Sequence, residues 1–268
     1  MGSAVPTLDQ QRSGAITMAD DSDPEKREGW TRRDWVKLGL VIGGSAAVGT
    51  VGVGLAGTLL RSPPPEVTKG PILYTRFPAD QWWNSFEGNP VKVTDFQEWQ
   101  GATGVLGGSF TDGKWITGTG YPVLVIRVKR DDSVFSAPTD VAVPSGFDLY
   151  YDDPARDIRI VVVYDRCAHL CCYPGWQVVQ DPAPSRNYVG PAPTYEVYGL
   201  DPIYCVCHES QYDPMLLVKS TNTNNGVEFV GPSRVHGPAT RAIPIIAVRA
   251  VDDALEAAVV DPRWYRYC

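Results

Sequence analysis

Arg159-Ile160-Val161-Val162-Val163-Tyr164 runs into Cys167-Ala168-His169-Leu170-Cys171-Cys172, and later in the chain comes Cys205-Val206-Cys207-His208-Glu209-Ser210-Gln211-Tyr212. The chain has six cysteines and three histidines. Two of those histidines stand in these segments, each close to a cysteine and each with a further cysteine nearby. The β-branched run before the first segment reads as a strand, so the first Cys/His segment is a loop at a strand end. Thiolates hold iron–sulfur clusters, and an all-thiolate site is strongly negative. Neutral imidazoles in place of two thiolates remove charge from one iron and make reduction easier. A structural Cys2His2 zinc site is the rival use of such residues. Zinc motifs usually group two cysteines in one arm and two histidines in the other, whereas both arms here are mixed.

Residues 167–172 and 205–212 resemble the two boxes of the Rieske [2Fe–2S] family, C-x-H-x-x-C and C-x-C-H-x-S-x-Y. The resemblance covers about Arg159 to Pro244 well and the rest of the chain only in layout. It implies one [2Fe–2S] cluster per chain, with Cys167, His169, Cys205 and His208 as ligands. It implies a disulfide between Cys172 and Cys207 that ties the loops together, and hydrogen bonds from Ser210 and Tyr212 to cluster or ligand sulfur. Such donors stabilise an added electron and raise the potential. Gly237-Pro238-Ala239 resembles the family's proline loop, which covers the cluster from a third side. His236 beside it reads as a loop histidine and not as a ligand.

Two positions depart from the family pattern. Cys171 and Glu209 stand where glycine is usual, and a side chain there costs strain if the backbone angle is the one glycine favours. Glu209 also brings a carboxylate next to the cluster, which lowers its potential. Adjacent Cys171 and Cys172 leave two candidates for the partner of Cys207, and spacing favours Cys172. Cys171 and Cys268 are then left over; they could pair with each other, but two isolated buried thiols are the expected reading.

The N-terminus supplies an address. Residues 1–30 are polar, and Thr31-Arg32-Arg33-Asp34-Trp35-Val36-Lys37 follows, completing a predicted cytoplasmic tail over 1–37. The following stretch, 38–60, carries no charge. Twin arginines before an apolar run resemble a Tat export signal. The run exceeds a signal h-region and reaches the roughly 20 residues that span a bilayer, so a retained transmembrane helix is expected. Arg12, Lys26, Arg27, Arg32, Arg33 and Lys37 precede it, against Arg61 and Lys69 just after. That bias puts the N-terminus in the cytoplasm and residues 71–268 outside, with a single pass through the cell membrane. Gly39 and Gly43 form a G-x-x-x-G step, which suits helix packing in lipid as well as it suits a mildly hydrophobic export signal. Residues 61–70, with Pro63-Pro64-Pro65, read as a semi-rigid hinge or linker.

The extracytoplasmic part is expected to be mainly β: a small antiparallel Rieske-type barrel or sandwich, with a cluster-binding subdomain over about 160–240. Strands are predicted at 90–93, 121–129, 159–164, 242–248 and 257–260. Residues 173–204 form a long Pro- and Gly-rich interval between the boxes. Residues 222–226 read as a turn and no more. A net charge of −7 gives no support for nucleic-acid binding.

The resemblance implies the redox subunit of a membrane quinol-oxidising complex of the cytochrome bc type. His208 would meet the quinol oxygen, and His169 and Leu170 would complete the exposed tip. The partners implied are quinol, membrane lipid, a cytochrome b-like membrane subunit and a cytochrome c-type or other haem electron acceptor. The alternatives are the small subunit of an arsenite oxidase-like enzyme, with a molybdenum partner, and a zinc-binding structural module.

Overall fold

The structure is a computed structural model and describes residues 68–76, 80–176 and 203–266. The predicted transmembrane helix, most of the linker, most of the 173–204 interval and Cys268 lie outside the described residues. Among the described residues no helix is long and apolar enough to cross a membrane.

Thirteen strands are formed among the described residues: β1 (Lys69–Tyr74), β2 (Gly101–Leu106), β3 (Phe110–Thr111), β4 (Lys114–Trp115), β5 (Tyr121–Val128), β6 (Tyr151–Asp153), β7 (Ile158–Tyr164), β8 (Gly175–Trp176), β9 (Ile203–Cys205), β10 (Ser210–Thr221), β11 (Glu228–His236), β12 (Ala247–Val251) and β13 (Ala254–Ala258). The first large sheet has the order β12-β13-β1-β2-β5-β7-β6, antiparallel throughout. Its ends meet through Asp148 and Val248, whose N–H and C=O groups exchange two 2.8 Å bonds. The sheet is thus a nearly closed barrel, and closure removes edges that would otherwise stay unpaired. A second sheet has the order β11-β10-β9-β8. The β3–β4 hairpin stands apart from both.

The alternation along β5 and β7 explains how the two sheets share those strands. Val123, Val125, Ile158, Ile160 and Val162 point into the barrel core. Leu124, Ile126, Val128, Val161 and Val163 point the other way, into a core shared with Cys167, Cys205, Tyr212 and Met215 of the second sheet and its loops. Strands buried on both faces read as continuous apolar runs, which is why these two were legible. The segment after β11 seals the seam. Tyr164 N donates to Pro244 O and Ile246 N to Val162 O, both at 2.8 Å, while Ile245 N donates to Val230 O at 2.8 Å. Gly231 lies against this seam so closely that a Cβ there would sit 1.7 Å from Ile243 O.

Several expectations shift. The linker ends earlier than expected, since Lys69 and Gly70 already pair with Ala258 and Ala257. Residues 90–93 make only isolated bridges, Leu73 to Pro90 and Lys92 to Ala254. A 3-10 turn, Val93–Asp95, takes over where Asp95 Oδ2 accepts from Lys92 N. The expected strand at 242–248 is a seam segment for most of its length, with β12 beginning only at Ala247. The asparagine turn does more than reverse the chain. Buried Asn222 donates from Nδ2 to the carbonyls of Arg263, Trp264 and Arg266 and so ties the C-terminal segment to the second sheet.

Candidate metal centre

The two Cys/His segments fold into loops of the same local form. In the first, Cys171 N donates to Cys167 O at 3.0 Å, and Cys167 N donates to Cys172 O at 2.8 Å. In the second, Glu209 N donates to Cys205 O at 2.9 Å, and Ser210 pairs with Cys205 across the β9–β10 hairpin. Each loop is one turn closed from residue i+4 to residue i, and each ends in a left-handed residue: Cys171 at φ 63° and Glu209 at φ 61°. This backbone favours glycine, because a Cβ crowds the following carbonyl. The departures from glycine noted in the sequence therefore carry strain in the folded chain.

The two turns set thiols inside and imidazoles outside. Cys167 and Cys205 are buried and free, while His169 is half-buried and His208 exposed. The histidine rings meet edge to face with centroids 4.6 Å apart. Cys172 and Cys207 form the disulfide, with Cα atoms 6.6 Å apart, and so lock the loops together beside the thiols. Cys171 is exposed and disulfide-bonded, contrary to the expected isolated buried thiol. The sulfurs of Cys172, Cys205 and Cys207 lie within 4.8 Å of one another, a spacing that suits a metal. Two of the three are joined in the disulfide, so with that bond intact the available thiols are Cys167 and Cys205.

Tyr212 and Ser210 lie beside Cys167. Tyr212 Oη lies 3.2 Å from Cys167 Sγ and accepts from Ala168 N at 3.3 Å. With the Ala168 N–H directed at its lone pair, the phenol hydrogen is free to point at sulfur. Burial pushes the Tyr212 phenol well up, so it remains a neutral donor. Ser210 Oγ accepts from Ala239 N at 3.1 Å and bonds to Cys167 in the same manner. The Cys167 thiol is held below the usual range, first by a hydrogen bond from the Cys205 thiol and then by Tyr212 and Ser210. Cys205 is pushed up correspondingly, by its bond to Cys167 and by burial.

The 237–239 loop packs on the second turn. Gly237 has φ 84°, and a Cβ there would come within 2.5 Å of Ser210 Cα and 2.7 Å of Glu209 O. Only glycine lets the backbones approach so closely. Arg234 Nη1 holds the loop through Gly237 O at 2.8 Å, and Pro238 is exposed. His236 ends β11, paired with Gln211. At the outer tip, Leu170 and Val206 are 63 % and 65 % exposed, one on each loop.

Sequence reasoning missed the support of the first loop. Arg166 Nη1 donates to Cys171 O at 3.0 Å, Nη2 donates to Tyr173 Oη at 2.5 Å, and the guanidinium lies 3.7 Å from that ring's centroid. Asp165 is buried, and its Oδ1 has no hydrogen-bond partner. Burial pushes its carboxyl up to about 8, against a smaller lowering by Arg166. Position next to the first loop was the only signal these residues offered.

The donor set can be tested for its fit to a metal. His169 Nδ1 is buried and has no hydrogen-bond partner. A buried ring nitrogen without a partner costs stability unless something fills its lone-pair direction, and metal ligation does so. Two free buried thiols, one such nitrogen and the adjacent His208 fit a mixed thiolate–imidazole centre. No protein-family model matches the chain, and no curated protein matches it.

Proposed function

We propose that the chain is a Rieske-type [2Fe–2S] redox subunit of a membrane quinol-oxidising complex. The observation that carries this reading is the joining of two mixed Cys/His turns, with free thiols buried, both imidazoles outward and a buried His169 nitrogen left without a partner. Cys167 and Cys205 would hold one iron, and His169 and His208 the other. When bound, the cluster supplies one-electron redox chemistry at a potential raised by its imidazole ligands.

The chain's own residues do the rest. Tyr212 and Ser210 aim hydroxyl hydrogens at Cys167 and favour the more negative state. His208, exposed at the tip, exchanges a proton with a quinol oxygen. A cluster bound there would supply the one-electron step, and His208 would hold or release the proton at its exposed ring. Leu170 and Val206 give the tip an apolar collar suited to a partner that excludes water, such as a cytochrome b-like subunit. The uncharged stretch 38–60 would anchor the chain, and the twin arginines before it would export the folded domain. A cytochrome c-type or other haem acceptor would take the electron.

The test is a redox poise of the full chain in its membrane, followed by electron paramagnetic resonance (EPR). Reduction by ascorbate is expected and marks a centre that quinol can reduce. A centre that needs dithionite contradicts quinol oxidation, and zinc in place of iron contradicts the cluster. Release from membranes by alkaline washing would instead favour an arsenite oxidase-like small subunit.

A further inference from the structure

The disulfide removes two sulfurs from a place where they could bind metal. Cys172, Cys205 and Cys207 hold their sulfurs within 4.8 Å of one another. A tetrahedral zinc with Zn–S bonds of about 2.3 Å sets its sulfurs about 3.8 Å apart, within that spacing. Cys167 lies outside that group of three but is a free, buried thiol packed in the same core cluster as Cys205, and it supplies a fourth sulfur. All four come from two turns whose backbones are closed by their own hydrogen bonds, Cys171 N to Cys167 O and Glu209 N to Cys205 O. With the disulfide closed, Cys172 and Cys207 are not thiolates and the loops offer Cys167, Cys205 and the two imidazoles. With it open and the Cys171 disulfide still closed, they offer four thiols.

We infer that the Cys172–Cys207 disulfide selects the metal: when it is reduced, Cys167, Cys172, Cys205 and Cys207 form a four-thiolate site for a divalent soft cation such as zinc. Opening takes two electrons and two protons from a dithiol, which closes to its own disulfide; zinc binding then releases the thiol protons. Soft thiolates favour zinc in a closed tetrahedral shell. In a reducing compartment the loops are thus open to zinc, and in an oxidising one that route is shut. The inference needs only the geometry of the two loops and stands whether or not the closed form carries an iron–sulfur cluster.

The experiment uses the full chain, freed of metal by a chelator and given one equivalent of zinc. It is done once with the disulfide intact and once after reduction by a phosphine, which becomes phosphine oxide and does not compete for zinc. Zinc K-edge absorption reads the ligand atoms. The reduced chain is expected to bind zinc through sulfur alone, and the intact chain through a mixture of sulfur and nitrogen. The same sulfur count in both states would overturn the inference. Cys172→Ser, studied without reductant, covers the case in which reduction unfolds the domain. It frees Cys207 and should add one sulfur ligand relative to the intact chain. A zinc shell unchanged by Cys172→Ser also overturns the inference.

Discussion

The barrel and the four-stranded sheet that carries the two loops follow different rules. The barrel core is apolar, its strands pair in register, and the bridge between Asp148 and Val248 nearly closes it. The loop region gathers what a stable core avoids: two free buried thiols, a buried carboxyl and a partnerless imidazole nitrogen. Local departures of this kind concentrate where a protein does chemistry. On the proposed function the barrel is the scaffold and the loops are the working part, with β5 and β7 serving both. Stability and redox properties should therefore separate by region under mutation.

The seam is where the separation should fail. Gly231→Ala places a methyl group 1.7 Å from Ile243 O, with backbone on both sides. Both regions are expected to be lost together, at a cost of about 4 kcal/mol or more. Chemical denaturation and metal binding would report it, and a folded variant with normal metal binding would show that the seam can part.

Within the barrel, Ile160→Ala removes a fully buried side chain that faces only the barrel core. A loss of about 2–5 kcal/mol is expected. The EPR spectrum of the folded fraction should not change; a changed spectrum would mean that the barrel core reaches the loops.

In the loop region, Asp165→Asn should stabilise. Its carboxyl titrates near 8 when folded and near 4 when unfolded. Below about pH 4 the group is protonated in both states and costs nothing. As pH rises towards 8 the unfolded chain ionises, the folded chain keeps its proton, and stability falls by on the order of a few kcal/mol. The asparagine variant should lose that slope between pH 5 and pH 8 in denaturation midpoints. An unaltered slope would mean that Asp165 is ionised in the folded chain and has a partner.

Two further changes test the site with little effect on the fold. Tyr212→Phe and Ser210→Ala each remove a hydroxyl that bonds to Cys167. Each should lower the midpoint potential by about 50 mV, roughly one hydrogen bond's worth of free energy in a one-electron couple. An unchanged potential in both would remove those bonds from the account. Glu209→Gly relieves a left-handed residue and is expected to add about 1 kcal/mol of stability. It also removes a carboxylate whose field, after burial, helps push the nearby Tyr204 phenol up. A lower stability on this change would give the Glu209 side chain a contact that outweighs its strain.

The sequence made the two regions unequally legible. The thiol and imidazole donors could be read because such residues are scarce and stood in two short segments. β5 and β7 could be read because burial on both faces demands unbroken β-branched runs. β2 could not, because Gly101 and Gly104 stand where Trp176 and Ile72 pack against the strand, and a Cβ at either would come within 2.8 Å of them. β10 was hidden by Asp213 and Pro214, at which its register shifts; the Asp213 carboxylate accepts from Met215 N there. The left-handed backbone at Cys171 and Glu209 was anticipated only through the glycine usual at those positions. The Arg166–Tyr173 clamp and the work of Asn222 depend on contacts between distant segments and leave no local pattern.

The central claim is that the two turns hold one iron–sulfur cluster through Cys167, His169, Cys205 and His208. Pulsed EPR on the ascorbate-reduced full chain tests it most directly, because hyperfine coupling counts the ligand nitrogens. The account predicts iron-centred resonance with nitrogen coupling from both His169 and His208. A chain that binds zinc alone, or an iron signal with no histidine nitrogen coupled to it, would contradict it.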